Sequence, residues 1–136
     1  FRSTKLENII EFLEDTYCHS IGVEYLFIRD PKMVKWLKLH FESTRNQPKY
    51  TKDEKNYILK KLRKGVFFER FLQKKFPGQK RFSLEGAEGV IPALDAVMEK
   101  GSELGIEEFV IGMSHRGRLN VLVNILRKPF KDVFSE

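Results

Sequence analysis

Hydrophobic positions recur at helical spacing through the first 75 residues. Leu6, Ile9, Ile10 and Leu13 make one stripe, preceded by Thr4 and Glu7 at the spacing of a capping box, in which each side chain satisfies a backbone group at the helix start. Asp30-Pro31 reads as an N-cap followed by proline at the first helical position, and Val34, Leu37 and Phe41 supply the apolar face. A polar stretch at 43–50, containing Asn46 and Pro48, precedes a second capping box at Thr51 and Glu54, with Ile58 and Leu62 continuing the stripe. Gly65 weakens this helix, so residues 66–75 are read either as its continuation or as a separate helix, and Pro77-Gly78 ends it. The stretch before Gly78 predicts no strand.

Beyond Gly78 the pattern changes. Residues 80–84 suit an extended segment. Residues 91–104 predict a helix with Leu94, Val97, Met98 and Leu104 near one side, Pro92 tolerated in its first turn, Gly101 an internal weak point and Gly105 the stop. Phe109-Val110-Ile111-Gly112-Met113 is a continuous apolar run of the kind expected for a strand buried on both faces. A turn over 114–117 leads to a helix with Leu119, Leu122, Val123 and Leu126 aligned. Helix, buried strand, loop, helix is the repeating unit of a parallel α/β sheet.

Composition narrows the classes. With 136 residues, 12 Phe, 4 Tyr and 1 Trp, the chain has apolar volume for a core, which argues against intrinsic disorder. No stretch approaches the roughly 20 apolar residues of a membrane span. Cys18 has no cysteine to pair with, which argues for a reducing compartment and against a disulfide-stapled scaffold. The absence of an initial Met at Phe1 and the stop at Glu136 just after a helical pattern suggest an excised segment. The net charge of +6 first suggests nucleic acid, but its distribution does not: residues 31–82 hold 16 of the 25 basic side chains and 4 of the 19 acidic ones, with net negative stretches on either side. Clusters such as Lys60-Lys61-Leu62-Arg63-Lys64 and Lys74-Lys75 are ordinarily a solvated helix face. The alternative is a basic helical interaction module docking an acidic partner or nucleic acid.

Candidate chemistry concentrates at Ser114-His115-Arg116-Gly117-Arg118, between the expected strand and helix. In open α/β sheets ligands bind beyond the carboxyl ends of strands, where a helix start favours anions. Arg116 offers a planar bidentate donor for phosphate or carboxylate, and His115 can donate, accept or carry charge near neutral pH. A loop with an exposed arginine and a backbone-bonded histidine remains the alternative. Lys80-Arg81-Phe82-Ser83-Leu84-Glu85-Gly86 is a weaker candidate. His19 and His40 lack metal-ligand companions, and no GxxxxGK[ST], HExxH or GxGxxG pattern occurs, so no metal site is expected from these residues.

Gly78-Gln79-Lys80-Arg81-Phe82-Ser83-Leu84-Glu85-Gly86 followed by Ile91-Pro92-Ala93-Leu94, and then Ile111-Gly112-Met113-Ser114-His115-Arg116-Gly117-Arg118-Leu119-Asn120, closely resemble the thiamine-diphosphate-dependent first component of the 2-oxoglutarate dehydrogenase complex. Ser20-Ile21-Gly22-Val23-Glu24-Tyr25 and Phe68-Glu69-Arg70-Phe71-Leu72 extend the resemblance over nearly the whole chain, while His19 and Phe27 depart from the family's usual residues. The resemblance implies a mainly α-helical N-terminal part, 1–76, followed by the opening of an α/β, parallel-sheet, thiamine-diphosphate-binding domain, 77–136. It further implies oxidative decarboxylation of 2-oxoglutarate and succinyl transfer to a lipoyl-bearing succinyltransferase component by a homodimer, in the tricarboxylic acid cycle. His115 would face the reacting centre as the catalytic residue, and Arg116 would contact the cofactor's diphosphate. Lys80, Arg81 and Phe82 would scaffold the pocket wall. The family's magnesium motif and activating glutamate have no usable counterpart here, so the segment alone is expected to be inactive. Neither nucleic acid nor membrane is an expected partner, and the compartment would be bacterial cytoplasm or mitochondrial matrix.

Overall fold

The computed structural model describes residues 4–135, in which six helices form and no strand does. The chain divides into two compact units, the first running to Tyr50 and the second beginning at Thr51. This division falls at a different place from the boundary expected near residue 76.

In the first unit, α1 (Leu6–Tyr17) packs on α2 (Pro31–Thr44). The capping box expected at Thr4 does not form: Lys5 is the N-cap without a side-chain bond, and the Thr4 hydroxyl instead accepts from Asn8 Nδ2 at 3.1 Å. The start of α2 forms as its chemistry dictates, with the Asp30 carboxylate accepting from the Lys32 N–H at 2.8 Å and Pro31 in the first turn. Val34, Leu37 and Phe41 are half-buried, and Phe41 packs on the Tyr25 ring. The unit is pinned by Tyr17 donating to Glu42, by the Arg45–Asp15 ion pair at 2.7 Å, and by Thr16, fully buried with its hydroxyl bonded to the Phe12 carbonyl.

The second unit is built around α3 (Lys52–Lys75), α4 (Val90–Glu103), α5 (Arg118–Asn124) and α6 (Phe130–Phe134). Thr51 and Glu54 make the full reciprocal box that starts α3. That helix is continuous for 24 residues, so Gly65 interrupts nothing. Gly65 is buried, with Ile91 and Asn120 side chains facing it, and its carbonyl accepts from Asn120 Nδ2 at 3.0 Å. Its propensity cost of about 1 kcal/mol is thus offset by close helix packing. Pro92 lies in the first turn of α4 as expected, and Gly105, at φ +84, follows its end.

Leu84, Ile91, Val121 and Ile125 form the core, with Ala87, Leu94, Met98 and Ile111 packed against it. Two expected faces are corrected. Val97 and Leu104 point outward, and Leu104 lies past the end of α4. In α5 the deepest positions are Asn120 and Val121; past its end Ile125 is buried and Leu126 is exposed. Apolar stripes on so short a helix admit more than one inward face, and packing against Ile91 and Leu84 selects this one.

The strand expected at 109–113 is also corrected. No β-ladder forms among the described residues, because a buried strand needs a neighbour to pair its N–H and C=O groups and this segment finds none. Phe109 lies against Gly101, where a Cβ would come within 2.6 Å of its ring, and Ile111 joins the core. Val110 between them is 98% exposed, so the run is half-buried on one side only. The helical part of the expected fold therefore stands, and the parallel sheet is not formed in this segment.

Lys61 of α3 and Asp95 of α4 form an ion pair whose side chains are 13% and 14% exposed, and the Tyr57 hydroxyl lies 2.8 Å from a carboxylate oxygen of Asp95 and of Glu99, sharing its one proton between them. Burial alone would raise the Asp95 carboxyl, but the hydrogen bonds from Lys61 and Tyr57 and the charges of Lys61 and Arg127 hold it below the usual range. Burial lowers Lys61, yet its bonds to Asp95 and Tyr57 leave it above the usual lysine range. A lowered acid stabilises above its unfolded pKa and a raised base below its own, so the pair contributes fully between about pH 4 and 10. Asp95→Ala should weaken hydrogen-exchange protection of the α3 and α4 amides by about 3 kcal/mol at pH 7, and by progressively less below pH 4. A pH-independent loss would show that the charges do not matter.

Candidate functional site

Two segments about 30 residues apart meet at the start of α5. The Gly117 N–H donates to the Phe82 carbonyl at 2.6 Å, and the His115 ring packs on the Phe82 ring with centres 5.1 Å apart and planes at 31°. Lys80 Nζ lies 5.2 Å from the centre of the same Phe82 ring. Arg116 Nη2 donates to the Glu85 carbonyl at 2.7 Å, and Gly86, at φ +85, leaves room beside it. The loop singled out as the weaker candidate is therefore the platform for the stronger one.

The backbone is tense at this junction. Phe82 adopts φ +51, a left-handed conformation that costs a non-glycine residue roughly 1–2 kcal/mol. Gly117 sits at φ +72, and a Cβ there would lie 2.4 Å from Leu84 Cδ1, so glycine is needed both for the turn and for the approach to the core. His115 and Arg116 themselves remain exposed. Beside Arg116, an apolar hollow of about 360 Å³ is lined by Leu84, Leu94, Ile111, Met113 and Ser114.

The surroundings of Arg116 already hold an anion. The Glu88 carboxylate is kept below the usual range by its own backbone N–H, by the Gly86 N–H at 3.1 Å and by the charge of Arg116. This arrangement suits phosphate or carboxylate. Among the described residues no three His, Cys, Asp or Glu side chains converge. His19 bonds Ser20 and His40 stacks on Trp36, both away from this loop pair in sequence and within the first unit.

Sequence reasoning gave no role to two supporting residues, Glu69 and Asn120. Glu69 is 2% exposed and Asn120 fully buried, and with Ser83 they form one hydrogen-bonded group beneath the loop. The signal available was positional: Glu69 falls on the same helical face as Gly65, Phe68 and Leu72, where a carboxylate is out of place. The basic run, by contrast, is mostly solvated. Lys60, Arg63 and Lys64 are exposed, Lys61 pairs with Asp95, and Lys74 and Lys75 lie in the last turn of α3, where its dipole favours cations. No helix among the described residues is long and apolar enough to cross a membrane.

The two loops that meet here are the segments that carry the resemblance to a 2-oxo acid enzyme class, and similar proteins bear on that resemblance directly. The chain is 52% identical over 132 residues to a multifunctional 2-oxoglutarate metabolism enzyme of Mycolicibacterium vanbaalenii, a match covering 97% of the chain and 10% of that protein. It is 44% identical over 131 residues to a mitochondrial 2-oxoglutarate dehydrogenase-like protein of Pongo abelii, covering 96% of the chain and 13% of the relative. With the 2-oxoglutarate dehydrogenase E1 component of Cupriavidus necator it shares 44% identity over 134 residues, covering 98% of the chain and 14% of the relative. No family model matches the chain. The chain is thus similar to these three proteins over nearly all of its own length and spans between about a tenth and a seventh of theirs.

Proposed function

We propose that this chain is a segment of a thiamine-diphosphate-dependent 2-oxoglutarate dehydrogenase first component, acting as a homodimer with a lipoyl-bearing succinyltransferase partner. The observation that carries the reading is the seating of His115 and Arg116 on the 80–86 loop, which unites the two motifs by which the chain resembles that family. Bound thiamine diphosphate supplies the electron sink that permits loss of carbon dioxide from a 2-oxo acid.

The residues of this chain fit one side of such a site. Arg116, anchored through one N–H to a backbone carbonyl, keeps its remaining donors for a diphosphate oxygen. His115, exposed and braced from one side by Phe82, presents a ring nitrogen that can donate to or accept from a substrate carboxylate. Magnesium would be held by residues outside this segment, and the segment by itself would be inactive.

The test is 2-oxoglutarate decarboxylation by the full-length protein with thiamine diphosphate and magnesium, followed by carbon dioxide release with ferricyanide as electron acceptor. Turnover dependent on the cofactor is expected; its absence with all components present would overturn the reading. Arg116→Met should raise the dissociation constant for thiamine diphosphate by about 10–100-fold, the equivalent of one or two charge-assisted hydrogen bonds. Unchanged affinity, measured by calorimetry, would remove Arg116 from the diphosphate site.

A further inference from the structure

We propose that Glu69 is a positioning residue for the His115 site, holding the strained turn at Phe82 from beneath; the role of that site rests on the function proposed above. Glu69 lies on α3, makes no hydrogen bond or ion pair with His115 or Arg116, and its side chain is only 3% exposed. Its carboxylate accepts from Ser83 Oγ at 3.0 Å and from Asn120 Nδ2 at 3.0 Å, and Arg81 Nε lies 3.7 Å away. These partners are not scattered. Arg81 and Ser83 flank Phe82 on either side, and Asn120 sits in the first turn of the helix that begins just after His115, Arg116 and Gly117.

A buried carboxylate is expensive, and an apolar residue of similar size would pack at this position on the face shared with Phe68 and Leu72. What the carboxylate supplies is geometry. Phe82, at φ +51, would relax toward an ordinary conformation unless its neighbours were fixed, and its carbonyl and ring are the two groups that meet Gly117 and His115. Arg81 Nε is buried with no hydrogen-bond partner, so Glu69 also provides the negative charge beside it. Loop, helix start and site are thus tied to a single anchor on α3.

The experiment uses the full-length protein and a double-mutant cycle between Glu69 and His115. Glu69→Leu should lower kcat/KM for 2-oxoglutarate by about 100-fold, the scale on which a displacement of an ångström acts on a catalytic group. Glu69→Gln, which can still accept from Asn120 and pair with Ser83 but removes the charge beside Arg81, should recover part of it. In the His115→Ala background Glu69→Leu should cost little more, because its effect runs through the histidine. Ser83→Ala, which cuts only the tie to the loop, should cost up to about tenfold with the same dependence on His115 and guards against a Glu69→Leu protein that does not fold. Equal losses with and without His115 would reduce Glu69 to a structural residue and overturn the proposal. If the wild-type protein proves inactive on 2-oxoglutarate, the functional reading fails separately. Crystal structures of the variants then decide the positioning: a Phe82–His115 separation still at 5.1 Å in Ser83→Ala and Glu69→Leu would overturn it.

Discussion

Replacing His115 with alanine in the full-length protein should reduce 2-oxoglutarate turnover by about 10²–10⁴-fold, the usual range for a positioned proton-transfer or hydrogen-bonding group, with the unfolding transition hardly moved. The separation of the two effects follows from where the ring sits. It is exposed, its packing is against Phe82, and it belongs to neither the apolar core nor the buried Glu69–Asn120–Ser83 group. Deleting it uncovers little apolar surface and strands no buried donor, so stability should change by about 0.5 kcal/mol or less. Turnover and thermal unfolding measured on the same preparation decide the matter. Wild-type turnover in His115→Ala would end the site assignment, whereas a large fall in unfolding temperature would show that the ring is structural.

Gly117→Ala should do the reverse, damaging the scaffold first and the chemistry as a consequence. At φ +72 an alanine pays roughly 1–2 kcal/mol for the left-handed backbone. Its Cβ would also stand 2.4 Å from Leu84 Cδ1, in a core side chain that is 2% exposed, and such overpacking typically costs a further ~1–3 kcal/mol. Relief requires either Leu84 or the start of α5 to move, and the second movement pulls the Gly117 N–H from the Phe82 carbonyl. Gly78→Ala is the control. It has a similar φ of +76 but nothing within 4 Å of its Cβ, so it should pay for the backbone alone. Denaturant midpoints of the two variants give the cost of the close approach by difference. Equal midpoints would mean that Leu84 yields freely and that only the turn requires glycine.

The two residues proposed for the site, His115 and Arg116, stand out in the sequence because they lie in one short run of unusual composition, and the resemblance rests on the same run. The platform beneath them was half legible: 80–86 stood out as basic and aromatic, but nothing local showed that Phe82 would lie under His115. Glu69 and Asn120 were not legible as a pair, since they are 51 residues apart and each alone reads as an ordinary polar helix residue. A hydrogen bond between buried side chains is decided by which helices cross, and single-chain periodicity carries no information about crossing.

The same division runs through the fold. Local chemistry determined the starts of α2 and α3 and the place of Pro92, because capping groups, proline and the backbone donors they satisfy are neighbours in sequence. Tertiary structure decided the rest. Packing against Ile91 and Asn120 carried α3 straight through Gly65 and chose the inward face of α5. It also left residues 109–113 without a ladder, since an apolar run states a wish for burial while a strand exists only when a second backbone comes alongside. Residue order alone settles what each segment can satisfy within a few positions of itself; the groups that must be satisfied from a distance wait for the fold.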